Sequence, residues 1–75
     1  MVDRTRIFQA IAQSGADAEI IEDEEGNLCL AAKRPKYPSP KKNRFYLSQP
    51  SDQMSVDDMA VEIKRWWDNY DNYYQ

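Results

Sequence analysis

The chain contains no histidine. Ser-His-Asp and Cys-His nucleophile systems, imidazole acid–base catalysis and most zinc sites are excluded with it. A single cysteine, Cys29, rules out an internal disulfide and a cysteine-rich metal site, so no covalent staple holds the fold. Two glycines, Gly15 and Gly26, are too few for a loop that cradles phosphate. No apolar run approaches the roughly 18 residues needed to cross a bilayer. The opening Met1–Ile7 lacks the apolar core of a secretory signal. With one lone thiol, the expected setting is a reducing, cytoplasmic compartment without membrane association.

Aliphatic residues are also scarce. Leu, Ile, Val and Phe make up 13 of 75 residues, fewer than a globular chain usually carries. Against disorder stand a net charge of only −3 and nine aromatics: Phe8, Tyr37, Phe45, Tyr46, Trp66, Trp67, Tyr70, Tyr73 and Tyr74. A single small domain over residues 1–75 is expected, its core completed by aromatic rings. A domain of this size buries only about 60% of its unfolded surface.

The net charge hides four blocks. Residues 1–14 carry +1, residues 15–27 carry −6, residues 28–44 carry +6 and residues 45–75 carry −4. This is an acidic protein with one basic segment.

Local patterns place the elements. Asp3 suits a helix N-cap, Val2 and Ile7 stand at staple spacing, and Ile7, Phe8 and Ile11 are spaced to share a face. Gly15 can end that helix in the left-handed conformation. Residues 16–22 and 28–33 alternate between apolar and polar around Asp23-Glu24-Glu25-Gly26-Asn27, which predicts an antiparallel hairpin. Residues 34–43 hold three prolines and read as a Pro/Lys-rich basic loop. Residues 44–48 read as a third strand, with Phe45 and Leu47 facing one way. Ser55 and Asp58 form a Ser-x-x-Asp helix start, and apolar residues from Val56 to Tyr74 recur at three- and four-residue spacing. The order predicts an α+β domain, helix–three-stranded antiparallel sheet–helix (αβββα), with both helices on one face of the sheet.

In that order and in length the chain resembles double-stranded RNA-binding domains. The resemblance implies phosphate contacts from a Lys-rich start to the second helix. Here that turn is Ser55-Val56-Asp57-Asp58, which repels phosphate, so no functional residue carries over.

Three surfaces are candidates. The first is the acidic turn of Glu22, Asp23, Glu24 and Glu25. Its carboxylates suit a hard cation, imitation of nucleic-acid phosphates, or a plain soluble turn. An EF-hand loop needs a Glu six residues after its central glycine; that position is Ala32, so the calcium motif fails. The second is the basic segment, where Lys33, Arg34, Lys36, Lys41, Lys42 and Arg44 surround Tyr37. Cations with an interleaved aromatic suit phosphate contact and base stacking, a protein partner, or a solvated loop that offsets the acidic hairpin. Within it Ser39-Pro40-Lys41-Lys42 resembles the minor-groove-binding repeat of histone tails and a proline-directed kinase site. The third is the aromatic end, Trp67, Tyr70, Tyr73 and Tyr74, of the kind that anchors protein interfaces. Trp66 and Trp67 project about 100° apart, so both cannot centre one stripe.

Cys29 has no histidine partner and reads as a passive, half-buried thiol. A thin core in 75 residues argues against a preorganised catalytic pocket, so no enzyme, cofactor, metal or small-molecule substrate is expected. The expected function is a non-enzymatic binding protein acting on a larger protein partner. One form of it is an acidic inhibitor or modulator of a nucleic-acid-handling partner, and in size and charge alone the chain resembles phage anti-CRISPR proteins. The alternatives are a nucleic-acid-binding domain working through the 33–44 loop, and a structural subunit of a larger complex.

Overall fold

Helix, three strands and helix follow in that order along the chain, in a computed structural model that describes residues 4–72. Val2, Asp3, Tyr73, Tyr74 and the side chains of Asp71 and Asn72 lie outside that description, and with them the expected staple, cap and tyrosine end.

Helix α1 (Arg4–Ser14) buries the line Ile7, Ala10 and Ile11. Phe8 was expected on that face and is 58% exposed. It sits about 100° round the helix from Ile7, off the buried line. Gly15, at φ +77°, ends the helix, and its N–H donates to the Ile11 carbonyl. Ser14 then prolongs the cap: its hydroxyl donates to Ile11 O and accepts from Ala16 N–H. That is why the first strand starts at Ala18 instead of Ala16.

Strands β1 (Ala18–Glu22) and β2 (Leu28–Ala32) pair antiparallel, with Ile20 opposite Leu30. Strand β3 (Arg44–Phe45) joins the other side of β2, with Leu30 opposite Phe45, and the sheet order is β1-β2-β3. Ile20, Leu30 and Phe45 therefore form one cross-strand row, which faces the helices. Alternation places Ile21, Cys29, Arg44 and Tyr46 on the opposite face.

Helix α2 (Val56–Asn72) starts as its capping pattern predicts. Ser55 Oγ accepts the Asp58 N–H, and Asp57 and Asp58 lie in the first turn, favoured by the helix dipole. Its Met59, Ala60 and Ile63 pack with Ile7, Ala10, Ile11, Leu30 and Met54 into one core. Fully burying a side chain such as Ile63 stabilises the fold by about 1.5–3 kcal/mol. At the C-terminal end the core passes into rings: Phe45 stacks on Trp66 at 5.5 Å, and Trp67 on Tyr70 at 5.7 Å.

The third strand is shorter than its pattern predicts, ending at Phe45 instead of Ser48. Both helices pull the following segment off the ladder. Glu62 of α2 accepts from the Ser48 N–H and hydroxyl. Arg6 of α1 donates to the carbonyls of Ser51, at 2.7 Å, and Met54. Two one-turn 3-10 segments, Pro40–Asn43 and Ser51–Gln53, complete the connections. Among the described residues no helix is long and apolar enough to cross a membrane.

Candidate functional site

The acidic turn is a built structure. The Asp23 carboxylate accepts the N–H groups of Glu25 (2.9 Å) and Asn27 (2.8 Å), and the Asp23 N–H donates to Asn27 O. Gly26, at φ +82°, supplies the left-handed residue this closure needs. The second Asp23 oxygen accepts the Tyr46 hydroxyl at 2.8 Å. Glu24 meets Arg44 in a two-pronged pair, both bonds 3.0 Å. Two candidate surfaces thus touch: the acidic turn and the basic segment neutralise each other through Glu24 and Arg44. Arg44, with a side chain only 12% exposed, is a cross-link within the domain instead of a free cation. Glu22 pairs with Arg4 at 3.2 Å, and Glu25 is exposed.

The Asn27 N–H, then the Tyr46 hydroxyl, hold the Asp23 carboxyl below the usual aspartate range. Hydrogen bonding to Arg44 likewise lowers Glu24, and the bond to Asp23 pushes the Tyr46 phenol up to about 12. A depressed folded value means that the Asp23 contribution is complete above about pH 4, the ordinary value, and is lost as pH falls through the lower folded value. An NMR titration of Tyr46→Phe is therefore expected to move the Asp23 midpoint upward but short of the ordinary value, because the Asn27 N–H remains. An unchanged midpoint would deny the Tyr46 bond a role.

Beside this turn the sheet edge is notched. A cleft of about 360 Å³ opens between the start of β2 and residues 46–52. Ile7, Ile20, Leu28, Leu30, Leu47 and Pro50 form apolar walls, and Asn27, Gln49 and Asp52 are polar groups lining it. Cys29 and Tyr46, from the other face of the sheet, line it too, so the notch cuts through the sheet edge. The sequence does not signal this cleft. It exists because Glu62 and Arg6 hold the 48–54 segment away from β2. Both clamps join residues at least 14 positions apart.

The basic segment is organised by Asn43, which is 5% exposed and was not singled out by its pattern. Its Oδ1 accepts from Lys36 N–H, Tyr37 N–H and the Tyr70 hydroxyl, the last at 2.7 Å. Its Nδ2 donates to the carbonyls of Tyr37 and Ser39. Tyr70 is 5% exposed, so it leaves the interface set for the core, its hydroxyl tied to the basic loop. The Lys36 ammonium stands 5.5 Å from the Tyr70 ring centre, a cation–π distance. Trp67 is half-buried, and Tyr73 and Tyr74 lie outside the described residues. Lys33, Arg34, Lys41 and Lys42 are exposed, and Arg34 reaches Asp17 only at 3.9 Å. Tyr37, Lys42, Arg44, Phe45, Trp66 and Asn69 border a shallow open groove between this segment and α2.

Cys29 is buried, and burial pushes its thiol up, away from the reactive thiolate form. Among the described residues no group of three or more Cys, Asp or Glu side chains is placed to hold a metal ion.

The fold and these surfaces define a small α+β domain with an acidic turn beside an apolar notch and a basic loop against an aromatic helix end. No protein-family model matches the chain, and neither a curated protein nor a solved structure matches it.

Proposed function

We propose that this chain is a non-enzymatic binding protein that docks on a larger protein through the side carrying the acidic turn. The preformed apolar cleft beside that turn carries the reading. It pairs a concave apolar surface with local negative charge, the combination that gives an interface its anchor and its on-rate. Imitation of nucleic-acid phosphates has weaker support. Asp23 is committed to closing the turn and Glu24 to Arg44, so the four carboxylates do not stand as a free row.

The test reverses Glu22 and Glu25 to Lys and leaves Asp23 and Glu24 to hold the turn; it gives up only the exposed Arg4–Glu22 pair, which at the surface contributes about 0–1 kcal/mol. The expected result is about a tenfold or larger loss of partner binding, through like-charge contacts, with an unchanged circular dichroism spectrum. Full retention of binding would remove the acidic turn from the interface.

A second reading rests on the groove between the basic loop and α2. Its rings and the exposed Lys41 and Lys42 suit a single-stranded nucleic acid. It expects oligonucleotide binding that weakens steeply with salt. A titration showing no binding at low salt removes it.

A further inference from the structure

The hydrogen-bonding sides of β2 can be assigned from its ends. Lys33 N–H donates to Asp17 O, and Asp23 N–H donates to Asn27 O. With the register between them, Glu19–Ala31 and Ile21–Cys29 are the bonded pairs of the first ladder. Cys29 and Ala31 therefore turn their N–H and C=O toward β1, and Leu28, Leu30 and Ala32 turn theirs toward β3. Leu30 meets Phe45 there. Leu28 would meet Leu47, but the chain has left the ladder after Phe45 and the cleft opens in its place. The notch thus combines three things: the strand-edge N–H and C=O of Leu28, walls of Leu28, Leu30, Leu47 and Pro50, and Asp52 in its lining with the acidic turn nearby.

We infer that this notch binds an extended peptide segment of the partner, one large apolar side chain seated in the cleft and a Lys or Arg beside it. The inference rests on the protein-docking reading above and names what the partner offers. Main-chain pairing at a sheet edge supplies affinity, and the side-chain pocket supplies selectivity. The Glu62 and Arg6 clamps hold the pocket open before binding, which reduces the ordering cost of association. Asp52 in the lining and the exposed Glu25 of the turn favour a basic flank and disfavour phosphate.

The test selects a displayed library of random dodecapeptides on the intact chain. Enriched sequences are expected to carry an aromatic or large aliphatic residue flanked by Lys or Arg. The tightest, made synthetically, should slow hydrogen exchange at the Leu28 amide. Leu47→Trp, which fills the cleft, should abolish its binding. Asp52→Lys, an exposed change that leaves the core intact, should weaken it about two- to fivefold, as a rim charge does. Absence of enrichment, enrichment of acidic sequences, or binding that leaves the Leu28 amide unprotected would overturn the inference. If the partner is still lost on reversing Glu22 and Glu25 while the peptides fail, docking through the acidic turn stands and the notch assignment falls.

Discussion

Replacing Ile63 with Ala is expected to lower the unfolding free energy by about 2–5 kcal/mol. Ile63 is fully buried on α2 and packs within the cluster of Ile7, Ala10, Ile11, Leu30 and Met59. Its truncation removes apolar burial and leaves a cavity between two helices and the sheet, and Ala10, also fully buried, is too small to fill it. A 75-residue domain has in total only about 4–11 kcal/mol of stability at typical per-residue values. No disulfide supports it. The variant should therefore melt at a much lower urea concentration, with an appreciable unfolded fraction in buffer. The control is Val61→Ala on the same helix, where a 49% exposed side chain predicts a change within about 0.5 kcal/mol. Equal midpoints for the two variants would mean that Ile63 is not part of the core.

Replacing Asn43 with Ala is expected to cost about 1–3 kcal/mol, the range for stranding buried hydrogen-bonding groups. Asn43 is the common partner of the Lys36 and Tyr37 amides, the Tyr70 hydroxyl, and the carbonyls of Tyr37 and Ser39. A loop with three prolines has little ladder bonding of its own, so these bonds are its framework. The loss should appear twice: as lower stability, and as altered tryptophan fluorescence, because Trp66 and Trp67 contact the Tyr70 ring. Tyr70→Phe removes the hydroxyl's bond to Asn43 Oδ1 and the one it accepts from the Lys36 N–H, which keeps Asn43 Oδ1 as an acceptor, and should cost about 0.5–1.5 kcal/mol. A larger loss from Tyr70→Phe than from Asn43→Ala would mean that the hydroxyl, not the amide, organises the loop.

These residues separate what the sequence discloses from what it conceals. The start of α2 was legible because capping is local: Ser55 and Asp58 are three positions apart, and their hydrogen bond forms within one turn. The hairpin was legible for the same reason, with Asp23 and Gly26 closing their own turn. The end of β3 was not. Phe45, Tyr46 and Leu47 have every local feature of a strand, and their divergence is imposed by Glu62 and Arg6 from distant helices. The candidate charges divided in the same way. Composition located an acidic turn and a basic loop but could not show that Glu24 and Arg44 fold onto each other. Asn43 looked like an ordinary loop residue because the buried Tyr70 hydroxyl, 27 positions away, is brought to it only by the fold, although its other partner groups lie within seven residues. The aromatic substitution for missing aliphatics was legible in outline, and Tyr70 shows its limit: a ring expected at an interface is a buried post for the basic loop.

The reading that this domain docks on a protein through its acidic, notched side is tested most directly by parallel affinity capture from the native cell. Four baits are compared, each with and without nuclease treatment: the wild-type chain, the Glu22→Lys/Glu25→Lys variant, Leu47→Trp, and a Lys41→Glu/Lys42→Glu variant of the basic loop. One protein partner is expected on the wild type and the basic-loop variant, insensitive to nuclease, and absent from the other two. Loss of that partner on nuclease treatment, or from the basic-loop variant alone, would contradict docking through this side.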